Sequence, residues 1–319
     1  MRYSPALAGG CQGDPSVGVG RATTLPVSLL PAMPRQPWAL ESLPPFPAIA
    51  LRVAQLMSKD DVHVKELSNL IRADQSLSAQ LLRLANSPLF CFRFEVRTVQ
   101  QAVALLGLER IQGLALTAGM QSYLAGPLNT LALQLCWRHS LAVAVAAEKL
   151  ARVAFMDEDF AYTAGLLHDI GRLALIAGQP VRYAQFLAAV EDDHLLDVLE
   201  GEREWFGMDH CEAGRKLVEM WKLPPVFGAV AGSHHRKVES DKFDLVALVR
   251  TACQLADALG FAAVKPLAAR SVQEVLTDLP EREMARVLPH ADRLAFDIAL
   301  KVNSLQLSRS YALEDTPDQ

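Results

Sequence analysis

The chain has no long run of basic residues, no uninterrupted apolar stretch near the roughly 20 residues that a membrane-spanning helix needs, and no Cys-x-x-Cys pair. Each absence removes a class of function. A net charge of −5 without a basic tract offers no electrostatic attraction to nucleic acid or to an anionic membrane surface. Neither nucleic acid nor membrane is therefore an expected partner. The five cysteines, Cys11, Cys91, Cys136, Cys211 and Cys253, are odd in number and scattered, which argues against a disulfide framework and a zinc ribbon. They read as reduced thiols, mostly buried. Arg2 is followed by a stretch interrupted by glycine and proline instead of a compact apolar core, so no secretory signal is read and a cytoplasmic location is expected. No internal repeat is evident. What remains is a chain of 319 residues, 51% of them hydrophobic, whose apolar side chains must form a globular core in one large domain or two small ones.

Residues 1–38 are rich in glycine, proline and small residues without a helical period, which predicts a disordered leader and leaves Met33 as an alternative start. From Pro47 onward apolar residues recur at three and four: Ile49, Val53, Leu56; Leu67, Leu70, Ile71; Leu77, Leu81, Leu82, Leu84. This is the pattern of amphipathic helices. Asp74 fits an N-cap, and Thr98-Val99-Gln100-Gln101 fits a capping box opening a helix that Gly107 ends. Further helices run from about Leu131 to Asp257, with breaks near Asp157, Gly178-Gln179-Pro180, Gly207 and Leu223-Pro224-Pro225. Later ones lie around Ser271 to Leu276 and Ala291 to Leu305. Leu141 to Ala147 and Phe261 to Val264 are ambiguous between helix and strand; the alanines of the first favour helix. The fold class is all-α.

The sharpest local feature is Gly165-Leu166-Leu167-His168-Asp169-Ile170-Gly171-Arg172. Apolar residues carry an imidazole and a carboxylate into the interior together, and an unpaired buried Asp is costly unless something compensates it. A carboxylate with two oxygens can bridge metals while the imidazole caps one of them. The plainer alternative is a hydrogen-bonded core histidine beside a helix-capping aspartate. His139, His210, the pair His234-His235, and Asp257 fall on separate segments in similar apolar contexts. Each alone is more often structural. Together with His168 and Asp169 they use five of the eight histidines, which could not cluster protonated without repulsion, whereas a divalent cation would reconcile the charges. Cys136 and Cys253 precede His139 and Asp257 by one helical turn and share their faces; they read as site neighbours or as small buried hydrophobes. His63, His194 and His290 read as surface or capping residues, and Trp137 and Trp221 as core anchors.

The order His139, His168-Asp169, Asp257 resembles the metal-binding tetrad of the HD superfamily of phosphohydrolases. His210 with Gly214, and His234-His235, resemble the added histidines of its HD-GYP branch, which is associated with cyclic di-GMP hydrolysis. Arg172 stands where that branch usually has lysine, and Arg236-Lys237-Val238-Glu239 stands where Gly-Tyr-Pro should follow. More of the chain, from about Leu43 to about Gly260, is similar to the HDOD (HD-related output domain) family. The similarity lies in Leu43-Pro44-Pro45-Phe46-Pro47, Ile71-Arg72-Ala73-Asp74-Gln75-Ser76-Leu77, Leu84-Ala85-Asn86-Ser87, Gln101-Ala102-Val103-Ala104-Leu105-Leu106-Gly107 and Trp221-Lys222-Leu223-Pro224. The resemblance implies a two-lobed helical fold, and with the composition and periodicity above it divides the chain into a leader at 1–38, an N-terminal lobe at 39–130, an HD-like metal-site lobe at 131–262, C-terminal helices at 263–308 and a tail at 309–319.

Two functions follow as expectations. One is a signalling or regulatory module that binds a protein partner or a small phosphorylated ligand. The other is a metal-dependent phosphohydrolase acting on a nucleotide or phosphodiester, with Asp169 as the bridging catalytic carboxylate and Arg172 holding a phosphate oxygen. The plainer reading of Arg172 is a solvated surface arginine. In both cases His139, His168, Asp169, His210, His234, His235 and Asp257 are the metal ligands. Iron, manganese, zinc or nickel suits such a set, as one ion or two.

Overall fold

Helix α6, Leu131–Ala154, is the axis around which the site is built. It carries so many alanines and branched aliphatics that every residue from Leu141 to Ala147 is buried, as expected of a helix apolar all round. Leu141 to Ala147 is thus helix. At 24 residues it is about 36 Å long. The computed structural model describes residues 48–56, 64–87, 90, 92–124, 130–192, 197–236, 243–265 and 268–310, and within these there is no strand. The leader at 1–38, His63, His194, Cys11, Cys91 and residues 311–319 of the tail lie outside the described residues.

Among the described residues, five helices precede α6: α1 (Ala48–Leu56), α2 (Val64–Arg72), α3 (Gln75–Ala85), α4 (Val99–Leu106) and α5 (Leu108–Leu124). Ten follow: α7 (Glu158–Leu167), α8 (Ile170–Gly178), α9 (Pro180–Asp192), α10 (Val198–Phe206), α11 (His210–Met220), α12 (Pro225–Ser233), α13 (Leu245–Ala258), α14 (Val272–Leu276), α15 (Glu281–Val287) and α16 (Ala291–Ser310). α15 was not read from the sequence. Its Glu-Arg-Glu-Met-Ala-Arg-Val is mostly polar, and only Val287 is buried, so no apolar stripe announces it. Phe261 to Val264 is neither helix nor strand but a bend, and its Phe261 carbonyl is used by the site below.

The punctuation is mostly local chemistry. Asp74 accepts from the Leu77 amide at 3.0 Å and Asp209 from the Glu212 amide at 2.8 Å, each satisfying a first-turn donor. Thr98 caps α4 through the Gln101 amide, but the Gln101 side chain reaches the Arg97 amide instead of the cap's own, so only half of a capping box forms. Gly107 and Gly207 end helices at positive φ of 85° and 81°, a region open to glycine at little cost.

α1 packs on α5, α2 on α4, and α3 on α5, while α6 packs against α7, α8, α13, α15 and α16. α5 also meets α7, and a polar network fixes the seam: Arg110 on α5 bonds Asp159 at 2.9 Å and Glu148 at 3.2 Å. Lys301 on α16 pairs with the other oxygen of Glu148. No helix among the described residues is long and apolar enough to cross a membrane.

Candidate metal centre

α7 and α12 each end in a histidine, His168 and His234, at the C-cap position. Each ring turns back on its own helix. His168 Nδ1 lies 2.7 Å from the Gly165 carbonyl and His234 Nδ1 3.0 Å from that of Ala231. A carbonyl can only accept, so Nδ1 carries the proton and Nε2 keeps a free lone pair. Both Nε2 atoms are buried without a hydrogen-bond partner. His139 on α6 repeats the device, with Nδ1 at 3.0 Å from the Phe261 carbonyl and Nε2 3.5 Å from Cys253 Sγ on α13. Burial first, and neighbouring histidines second, push His168 well down and His234 down to about 3. Both are therefore neutral around pH 7, the form that binds metals.

Asp169 opens α8 but makes no capping bond. Its carboxylate is turned sideways: Oδ2 accepts from Arg172 Nε at 2.7 Å, while Oδ1 is buried without a hydrogen bond and 3.6 Å from His210 Nε2. Burial alone would raise its pKa, yet Arg172 and then His210 hold it well below the ordinary carboxylate range. Arg172 is only 5% exposed, which excludes the solvated surface arginine. Its Nη1 donates to Tyr183 Oη at 3.2 Å and reaches Glu202 Oε1 at 3.4 Å. Nη2 lies 3.2 and 3.1 Å from the two ring nitrogens of His210, too evenly to sit on one lone pair, so it rests against the ring. All its donors thus face the protein's own groups.

His210, the first residue of α11, gives both its backbone N–H (2.8 Å) and Nδ1 (2.5 Å) to Glu202 Oε2 on α10. Burial and Arg172 oppose its charge, but Glu202 and Asp169 raise its pKa to about 10. Charge balance gives the same sign. Two carboxylates facing one guanidinium leave a negative charge that a proton on His210 offsets.

Two glycines allow these helices to come so close. A Cβ on Gly171 would stand 1.9 Å from the His210 carbonyl oxygen, and one on Gly165 would stand 2.8 Å from Ala144 Cα. α8 therefore lies backbone to backbone on α11, and α7 on α6. Asp169 is thereby brought to His210 and His168 to His139.

All seven residues singled out in the sequence meet in one continuous cluster. Ring centroids are 5.2 Å apart for His139 and His168, 4.8 Å for His168 and His234, and 5.4 Å for His210 and His234. The His235 ring lies tilted at 4.2 Å from that of His234 and edge-on at 5.0 Å from that of His210, at the solvent edge. Asp257 approaches His139 on the other side: its Oδ1 is 3.5 Å from Nδ1, the nitrogen already bound to Phe261. His290 is exposed and apart. A cleft of about 760 Å³ opens onto His139, Asp169, His210, His235, Cys253 and Asp257. The sequence reading missed Glu202 and Tyr183, fully buried partners of Arg172.

Two buried Nε2 atoms without partners, on His168 and His234, a third on His139 that meets only the Cys253 thiol, and one unsatisfied carboxylate oxygen on Asp169 fit a divalent cation. Tautomer-fixing Nδ1 bonds of this kind are what metal-ligating histidines make. Among the described residues the secondary structure is helical throughout, and the helices close around a pocket of histidines and acids. The HDOD domain family matches residues 43–237, and the chain belongs to that family. An HDOD domain protein of unknown function from Geobacter sulfurreducens superposes with a TM-score of 0.65 at 24% identity, covering 83% of this chain and 93% of that one. A provisionally named phosphohydrolase from Shewanella amazonensis SB2B gives 0.64 at 24% identity over 85% and 95%. A provisionally named signal transduction protein from Marinobacter aquaeolei VT8 gives 0.65 at 22% over 84% and 60%. At such identities the likeness is one of fold. An uncharacterised protein of Treponema pallidum (strain Nichols) is 25% identical over 204 residues; these make up 61% of this chain and 38% of that protein.

Proposed function

We propose that this HDOD chain is a regulatory, signal-transducing module built on a divalent transition-metal centre. We read His139, His168, Asp169 and His234 as its interior, with His210 joining them on release of its Nε2 proton, His235 at the rim and Asp257 behind His139. The observation that carries the reading is the pair of buried imidazoles, His168 and His234, tethered through Nδ1 with Nε2 left without a partner, beside the similarly tethered His139. When bound, the ion supplies concentrated positive charge and Lewis acidity at the floor of the cleft. That favours a small phosphorylated ligand there, with a protein partner reading the outcome. The division into 39–130, 131–262 and 263–308 belongs to this proposal.

The regulatory reading is preferred to the hydrolytic one because of Arg172. It occupies Oδ2 of Asp169, leaving one oxygen where a bridging carboxylate uses two, and its other donors face Tyr183, Glu202 and the His210 ring. The second reading, a phosphohydrolase of a nucleotide or phosphodiester, is favoured by the open cleft that reaches Asp169. Metal analysis of protein purified without a histidine tag should find a transition metal, lost in His168→Ala and Asp169→Ala and retained in His290→Ala. Absence of metal from the wild type after exposure to iron, manganese, zinc and nickel would end the proposal. Turnover of nucleotide or phosphodiester substrates that vanishes in a folded Asp169→Ala protein would move the assignment to the hydrolase.

A further inference from the structure

We infer that Cys253 supplies a sulfur ligand to this centre, and that the site therefore selects a thiophilic transition metal such as zinc over manganese or magnesium. The inference rests on the metal reading above and adds a ligand outside the seven histidines and aspartates. Cys253 Sγ lies 3.5 Å from His139 Nε2. Cys253 Sγ, a ring nitrogen of His139 and a ring nitrogen of His168 all lie within 4.8 Å of one another. Bonds of about 2.0–2.1 Å from nitrogen and about 2.3 Å from sulfur place the first pair at close to the tetrahedral angle around one ion. The second observation is independent of the thiol: His168 is 1% exposed, and its Nε2, bordering the same space, has no hydrogen-bond partner.

The placement on α13 gives the two candidate ligands of that helix different jobs. Asp257, one turn beyond Cys253, meets His139 at Nδ1, the nitrogen that faces away from the space. Cys253 meets Nε2, the nitrogen that faces into it. Asp257 is thus a positioning residue for the imidazole, and Cys253 occupies the ligand place. Cys253 is buried, free, and lines the cleft. On coordination the S–H bond is exchanged for a sulfur–metal bond and the proton leaves to water; no electron is transferred. A soft thiolate beside imidazoles is the donor set that favours zinc and its neighbours, whereas an all-oxygen and imidazole set accommodates manganese readily.

Cobalt(II) added to metal-free protein is the direct probe. Bound cobalt should show an intense near-ultraviolet sulfur-to-cobalt charge-transfer band that disappears in Cys253→Ser, while cobalt still binds, and persists in Cys136→Ser and Cys211→Ser. The same variant should lower the preference for zinc over manganese by roughly tenfold or more. Zinc-edge X-ray absorption on the wild-type protein, which needs no variant, should find one sulfur neighbour. Cobalt bound without the band, or a band lost in Cys211→Ser and kept in Cys253→Ser, overturns the inference and leaves the metal centre standing. No cobalt bound at all removes the metal centre itself.

Discussion

Glu202 is the residue whose substitution says most about the site. It is fully buried, takes both the backbone and side-chain N–H of His210, and accepts from Tyr183 at 2.7 Å. Glu202→Gln should lower metal affinity about 10–100-fold by loosening the orientation of His210, as calorimetric titration would record. Glu202→Ala should cost about 3–5 kcal/mol of metal-free stability, because Arg172 and His210 lose a buried counter-charge. A pH dependence follows with a definite sign. His210 titrates at about 10 in the folded protein against an ordinary 6.5, so the folded state holds the proton more tightly. Its contribution is complete below about pH 6.5 and is lost as pH rises through about 10. Urea unfolding of the metal-free protein between those values should show falling stability, and Glu202→Gln should flatten the curve. The histidines and aspartates of the cluster were legible in the sequence because few side chains of that chemistry belong in apolar helices. Glu202 was not, since Leu199-Glu200-Gly201-Glu202 looks like any solvated helix face. Nor could spacing show that the Cys253 thiol and Asp257 meet opposite nitrogens of one ring.

At the scale of the helix, the site depends on how closely α8 and α11 approach. A methyl group at Gly171 would fall 1.9 Å from the His210 carbonyl oxygen and 2.4 Å from the Gly214 amide, and backbone atoms cannot rotate away. Gly171→Ala should therefore separate the two helices, lower stability by about 1–3 kcal/mol or more, and weaken metal binding along with the melting temperature. Gly207→Ala, with open space around its Cβ position but a positive φ, should lower stability by about 1 kcal/mol and leave metal binding intact. The two variants separate closeness from conformation. Helix boundaries at Asp74, Thr98, Asp157, Gly207 and Pro224 could be read because caps and breakers are local. α15 could not, since its sequence has too little apolar surface to show a period, and it is helical through its place beside α6.

For the molecule as a whole, the segment matched to the HDOD family ends at 237, yet the site does not. α13 packs along α6 and α7, bears Cys253 and Asp257, and buries Leu248, Val249, Ala252, Leu255 and Ala256. A chain ending at residue 240 should lose the cooperative thermal transition and bind no metal, whereas one ending at 310 should keep both. The tethers at His168 and His234 carry a further consequence. Each Nδ1–H satisfies a last-turn carbonyl that its helix would otherwise leave open, so each ring serves as the terminal clasp of the helix that presents it. On the metal reading proposed above, the receptor for the ion is then assembled by folding itself and stands ready beforehand. Loading the metal should leave the far-ultraviolet circular dichroism superimposable and produce only a small heat-capacity change, unlike a zinc finger, whose chain orders around its ion.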